Sequence, residues 1–334
     1  MSIAVPRRAL LIGGTMAGLG AGRTRARSLD KLSVQLAWRA QAQHGALYQA
    51  VATGLYRDAG LEIEIRAGGP QLDANRLLLA GRVDFIESNG LGALAYAVQD
   101  LPGVAVAALF QKDERVLLAH RGMGNDSLPE LKGKPILVSS QGRLSFWPWL
   151  KARYGYSDAQ ARPYTGSLAP FLADRTLCQQ GFLTTEPFAL RAAGVDPVVL
   201  LLADAGFDNY QGLLMCAPRL AADKSELVQR FVDATLAGWA SYLGGDPAPG
   251  NGLIRRDNPD MSEERLAHAI ATIRAHRLAD GESRLGLGAM TRERWRSFYR
   301  DMSEAGALPA GLAIERVFTL QFLNRAMDAP RHGR

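Results

Sequence analysis

One stretch constrains the fold more than any other: Val34 to Pro70, VQLAWRAQAQHGALYQAVATGLYRDAGLEIEIRAGGP. It opens with a short apolar run and passes through a polar loop carrying Trp38 and Gln41. Leu47, Val51 and Leu55 then recur every four positions, which places them on one face of a helix. Leu61, Ile63 and Ile65 alternate with charged residues, the two-residue period of a strand. A strand–helix–strand unit points the loop after its first strand into the crevice where open α/β sheets bind ligands. The expected task of the chain is to hold a small molecule, with Trp38 and Gln41 placed to touch it.

The alternation continues. A helix with Leu77 and Leu78 precedes the strand Val83–Ile86, Ser88-Asn89-Gly90 follows, and a second apolar helix ends near Val98. Two strands, VAVAALFQ and RVLLAH, fill Val104 to Ala119. Short strands alternating with helices predict an α/β lobe with a largely parallel sheet. The glycine-rich RGMGNDS over 121–127 reads as a first crossing to another lobe. That lobe carries the strand before Ser139-Ser140-Gln141-Gly142, the helix start Phe146-Trp147-Pro148-Trp149, and strands at Gly181–Leu183 and Val198–Leu202. Polar residues around 204–212 suggest a second crossing before LLMCA. Beyond that the chain reads as helical: one helix capped by Asp223 with Leu227, Phe231, Thr235, Trp239 and Leu243 on a face, others starting near Ser262 and Thr291, and a last one carrying Ile314, Val317, Phe318 and Phe322.

Residues 1–26 hold four arginines and no acidic residue. Arg7-Arg8, a modestly apolar glycine-rich run and Thr24-Arg25-Ala26 together read as a twin-arginine export signal with a small-residue cleavage site. Without those residues 35 basic groups face 33 acidic ones, so the formal charge falls from +6 to +2. The basic character belongs to the leader, and a nucleic-acid partner, which needs a basic stripe on a folded face, is not expected. No later segment approaches the length of a membrane span. Cys178 and Cys216 form neither a disulfide framework nor a metal-ligand spacing, so buried free thiols, no metal and no cofactor are expected. Phosphate loops and nucleophile elbows are absent from the sequence.

Candidate site residues follow from position. Trp38 in a polar loop suits a stacking platform, and aromatic stacking contributes about 0.5–1.5 kcal/mol beyond area burial. Glu186, beside an apolar strand and Pro187, is costly to desolvate without partners, and a ligand with adjacent N–H donors would supply them. Such a carboxylate opposes a sulfonate or nitrate ligand by like charge. Ser88 and Asn89 in the first lobe, and Ser139 and Ser140 in the second, lie where a strand gives way to a helix. They read equally as helix caps and as polar contacts for a ligand. Tyr48 and His44 flank the first helix, Tyr48 as a candidate ligand contact and His44 first as a helix-terminus residue; Phe146, Trp147 and Trp149 are candidate cleft walls with core packing as the alternative, and Tyr164 and Tyr210 are candidates on the same logic.

Several of these pieces together resemble a known family. Leu36-Ala37-Trp38 with Gln41 and His44-Gly45, Tyr48-Gln49-Ala50 through Gly60-Leu61, Gly81-Arg82-Val83-Asp84-Phe85, Leu131-Lys132-Gly133-Lys134, Phe146-Trp147 and Gly181-Phe182-Leu183-Thr184-Thr185-Glu186-Pro187 carry the likeness. The chain is similar to the solute-binding proteins of ABC importers related to thiamine-pyrimidine synthase, a group with formylaminopyrimidine-, riboflavin-, alkanesulfonate- and nitrate-binding members. The resemblance implies a two-lobe type II periplasmic binding protein with a double-crossover hinge, divided here as 30–121 plus 212–330 for lobe I and 122–211 for lobe II. It also implies a periplasmic monomer that captures a small heteroaromatic nutrient, resembling a thiamine pyrimidine precursor, and delivers it to a membrane permease. In the pyrimidine-binding branch the tryptophan of the first loop and the glutamate before proline contact the ring, positions held here by Trp38 and Glu186. The alternatives are an anion carrier and the synthase enzyme itself, whose cysteine-rich iron-binding motif this sequence lacks. Arg39-Ala40 and Asp174-Arg175-Thr176-Leu177 depart from the family pattern.

Overall fold

The computed structural model describes Met1 and residues 28–69, 72–280 and 285–323. The export-like segment 1–26, like Pro70, lies outside the described residues apart from Met1. Among the described residues, ten strands divide between two five-stranded mixed sheets. The first, in the order β2-β1-β3-β10-β4, comprises β1 (Asp30–Gln35), β2 (Leu61–Arg66), β3 (Phe85–Asn89), β4 (Val104–Phe110) and β10 (Gln211–Cys216). The second, in the order β7-β6-β8-β5-β9, comprises β5 (Arg115–His120), β6 (Ile136–Val138), β7 (Ala161–Pro163), β8 (Cys178–Phe182) and β9 (Pro197–Leu201). Each sheet holds the core of one lobe. β1, β2 and β3 run parallel, as do β6, β7 and β8, while β10 and β5 are inserted antiparallel.

The first crossing therefore falls between β4 and β5, at 111–114, not at 121–127. Arg115–His120 pairs with β8 and β9 and belongs to the second lobe. The reason is local: RGMGNDS forms turns that follow β5, whereas the crossing itself is the short polar Gln-Lys-Asp-Glu link between two fully buried strands. The chain returns over 202–210, between β9 and β10.

Helices cover both sheets. Lobe I carries α1 (Gly45–Ala52), α2 (Leu55–Asp58), α3 (Ala74–Leu79) and α4 (Gly90–Val98); lobe II carries α5 (Ser140–Leu144), α6 (Phe146–Tyr154), α7 (Ala169–Ala173) and α8 (Glu186–Ala192). The C-terminal part returns α9 (Pro218–Asp223), α10 (Ser225–Gly244), α11 (Ala248–Asp257), α12 (Glu263–Ala275) and α13 (Arg292–Glu304). Three expectations need correction. The Leu47–Leu55 helix is broken by Gly54, whose φ of 82° ends α1, and Val51 consequently sits exposed. Asp223 closes α9 and does not cap α10, because Pro218 starts a helix of its own. Ile314–Val317 makes only a 3-10 turn. Ser262 and Thr291, in contrast, do cap α12 and α13, each accepting the amide three residues on.

α10 lies across α1 because Gly238 has no side chain: a Cβ there would stand 2.3 Å from the Ala46 carbonyl oxygen. Phe231, Thr235 and Trp239 then seal the interface, with the Trp239 indole donating to the Leu109 carbonyl at 2.8 Å. Cys178 and Cys216 are free, buried and in different sheets, and burial pushes their thiols up to about 11 and about 12. Among the described residues no helix is long and apolar enough to cross a membrane, and no group of three or more acidic, histidine or cysteine side chains could hold a metal ion.

Candidate functional site

The carboxyl ends of β1 and β3 in lobe I, and of β6 and β8 in lobe II, converge near the 111–114 link. The Trp38 loop is fixed from below. Gln35 spreads its amide over the carbonyls of Leu36, Arg66 and Ala67, tying the ends of β1 and β2 together. Gly68 donates to the Trp38 carbonyl at 2.8 Å, and a Cβ on Gly68 would collide with the Leu36 oxygen at 2.4 Å. Held this way, Trp38 is 44% exposed, in contrast to the fully buried Trp147, Trp239 and Trp295. A tryptophan left open on a braced loop is available for contact with a flat ring.

Behind the loop, the Gln41 backbone donates to His44 Nδ1 at 3.1 Å, which leaves the proton on Nε2. His44 Nε2 meets Glu87 Oε2 at 3.0 Å, and the Ala37 amide reaches the same oxygen at 3.3 Å. Burial works against the Glu87 charge, but His44 and these hydrogen bonds outweigh it and hold the carboxyl below its ordinary value. Glu87 is a satisfied group.

Lobe II is arranged differently. Glu186 opens α8, and its Oε2 accepts from the Phe182 amide at 2.7 Å and from the Thr185 hydroxyl. Tyr164 also bonds to it, so two of the proposed residues meet directly. Burial nevertheless pushes the Glu186 carboxyl up, against the hydrogen bonds it accepts. Glu114 is buried beside it and is pushed up to about 7 by burial, against the hydrogen bonds from Thr184 and Gln43 and aided by the charges of Asp113 and Glu186. Arg115 is the only buried guanidinium among the described residues, and it is already engaged. It lies 4.0 Å from Asp113, reaches Ser145 at 3.4 Å and sits over the rings of Phe146 and Phe182. Asn209 completes the link, donating to Asp113 at 2.7 Å and accepting from the Leu91 amide.

The remaining sequence candidates separate into groups. Asn89 and Ser139 are helix caps, accepting from Gly92 and Gly142 at 3.0 Å each; Ser88 is half-buried beside Gly92, and Ser140 is exposed. Tyr48 is 1% exposed with its hydroxyl on Asp257 at 3.0 Å, packed between α1 and α11. Phe146 is fully buried beneath Arg115. Sequence reasoning missed Gln43, Glu87, Asp113, Glu114, Arg115, Thr184 and Asn209. The one available signal was the run Lys112-Asp113-Glu114 between the apolar runs 104–110 and 116–119, a place where charge has to be buried or turned outward.

The fold and a family match define a class. Residues 41–248 match the NMT1/THI5-like family, and the chain belongs to it, with the two-lobe fold of periplasmic solute-binding proteins. Among curated relatives it is 26% identical to the riboflavin-binding protein RibY of Chloroflexus aurantiacus over 311 residues, covering 89% of this chain and 87% of that protein. Among solved structures it resembles the periplasmic aliphatic sulphonate-binding protein SsuA of Escherichia coli, with a TM-score of 0.65 at 12% identity, over 86% of this chain and 92% of that one. The desulfurization enzyme DSZB shares the fold as well, with a TM-score of 0.60 at 14% identity over 90% of this chain and 99% of that one.

Proposed function

We propose that this protein is the periplasmic ligand-binding component of an ABC importer, exported through its 1–26 segment, and that it carries a small, flat, N–H-bearing heteroaromatic nutrient to a membrane permease. It acts as a monomer and makes or breaks no bond. What supports the reading is the chemistry of the two lobes. A half-exposed indole, Trp38, follows β1 in lobe I, and the carboxyls of buried Glu114 and half-buried Glu186, both raised by burial, belong to lobe II. Gln43, five residues past Trp38, donates to Thr184, two residues before Glu186, at 2.7 Å, so the two loops face the same seam. The indole stacks on the ring, and the Glu186 carboxyl accepts from ring N–H or exocyclic amino groups.

A pyrimidine precursor of thiamine meets these demands, and so does the imide edge of a flavin, the ligand class in the name of the relative RibY. A sulfonate does not, because a cleft lined by acids repels it and Arg115 is committed elsewhere. Calorimetry with aminopyrimidines, thiamine, riboflavin, alkanesulfonates and nitrate tests the reading, comparing wild type with Glu186→Gln. An N–H-rich ring that binds wild type and weakens in the variant supports it. Sulfonate binding that holds or improves in the variant, with no ring bound, overturns it.

A further inference from the structure

Gln43 occupies a position that neither ligand stacking nor the lobe cores require. It belongs to the turn that starts lobe I's first helix, yet its side chain leaves that lobe. Its Nε2 donates to Thr184 Oγ1 at 2.7 Å and to Glu114 Oε1 at 3.3 Å, and the Thr184 hydroxyl donates to the other Glu114 oxygen. Glu114 and Thr184 are one body: the Leu183 amide donates to the Glu114 carbonyl at 2.8 Å, extending the pairing of β5 with β8. The result is a closed triangle of hydrogen bonds with one corner in lobe I and two in lobe II. All three side chains are sealed, at 8%, 3% and 2% exposure for Gln43, Glu114 and Thr184. Gln43 Oε1 is buried with no partner, so the amide is held by its donor side alone, toward the other lobe.

We propose that Gln43 is an inter-lobe latch: by docking its amide on the Glu114–Thr184 pair it holds the closed form and sets Trp38 opposite Glu186. Gln43, Glu114 and Thr184 are positioning residues that act on the ligand through the geometry of closure. The proposal rests on the two-lobe binding-protein reading but not on the identity of the ligand. Opening the lobes by hinge bending parts Gln43 from lobe II and admits water to Glu114. The charged groups around that carboxyl are Asp113 and Arg115 on the 111–115 link, Glu186 at the start of α8 with Tyr164 upon it, and the His44–Glu87 pair next to Gln43 in lobe I. None of them is a cation placed to neutralise Glu114 itself. Closure, which dries Glu114, therefore takes up a proton. The closed form is favoured below the carboxyl's solvated value, and that advantage is lost as pH rises through about 7.

Small-angle X-ray scattering on the ligand-free chain tests this without any ligand. Wild type is expected to be compact at pH 5.5–6 and to expand as pH rises past 7. Gln43→Ala and Thr184→Val are expected to be expanded at both pH values, with the closed-to-open ratio falling by up to about tenfold on loss of a buried hydrogen bond. Thr184→Ser, which keeps the hydroxyl, restores wild-type compactness. Glu114→Gln removes the pH dependence. Circular dichroism and melting temperature confirm that each variant is folded. Folded Gln43→Ala and Thr184→Val proteins as compact as wild type at every pH, or a Glu114→Gln protein with an unchanged pH response, overturn the latch. A failed ligand panel leaves these outcomes untouched, so failure of the functional reading and failure of the latch are told apart.

Discussion

The two edges of the cleft use the same functional group in opposite ways. In lobe I the Glu87 carboxyl is closed off by His44 at 3.0 Å and by the Ala37 amide, and lies below its ordinary value. In lobe II, Glu114 and Glu186 accept hydrogen bonds too, but burial prevails over them and both are raised. Burial penalises all three charges, so the difference comes from the partner alone. A compensated carboxylate braces the loop that displays Trp38. Of the two raised ones, Glu186 is left for a ligand N–H, and Glu114, sealed inside the seam, for a proton. Lobe I supplies a rigid platform, and lobe II supplies the acceptors.

Breaking the compensated pair should cost the most. His44→Ala leaves the buried Glu87 carboxylate with the Ala37 amide as its remaining donor, a loss of about 3 kcal/mol of folding stability measurable by urea unfolding at pH 7. An effect below about 1 kcal/mol would mean that lobe I's edge is as open as lobe II's. The converse change, Glu186→Gln, should barely alter stability but should weaken an N–H-donating ligand by about 1–3 kcal/mol in calorimetry. Trp38→Ala should cost the same ligand about 1–2 kcal/mol through lost stacking and buried area.

The pH responses should also oppose one another. Glu87 is depressed in the fold, so its contribution is present above the unfolded value of about 4.5 and is lost as pH falls through the folded one. Glu114 is raised, so its contribution is complete below about 4.5 and is lost as pH rises through about 7. Melting curves of Glu87→Gln and Glu114→Gln against pH should therefore flatten the acid side and the neutral side respectively. The smallest effect is expected for Arg39→Ala. Its pair with Asp260 lies beside Trp38 but is largely exposed, so a change within about 0.5 kcal/mol is expected.

Much of this arrangement was legible in the sequence because local pattern carried it. Alternation at Leu61–Ile65 gave a strand, Pro148 fitted a first helical turn, and Trp38 stood out as an aromatic in a polar loop after a strand. Glu186 could be singled out because a carboxylate beside apolar residues and a proline demands partners. The first crossing was misplaced because glycine-rich composition marks turns, and this turn follows a strand that had already changed sheets. Gln43, Glu87 and Glu114 were missed for a different reason. Each is a polar residue whose role is set by a partner between 43 and 141 positions away, and no periodicity within one segment reports such a pairing. Tyr48 shows the reverse case: its place beside the first helix suggested a ligand contact, yet Asp257, 209 residues on, claims its hydroxyl.

The most direct test is a crystal structure of the complex with whatever N–H-bearing ring binds most tightly in calorimetry. The account predicts the ring lying against the Trp38 indole, with a ring N–H or amino group on a Glu186 oxygen and both lobes in contact with it. A ligand seated away from Trp38, or an anion held by arginines with Glu186 turned aside, would contradict it.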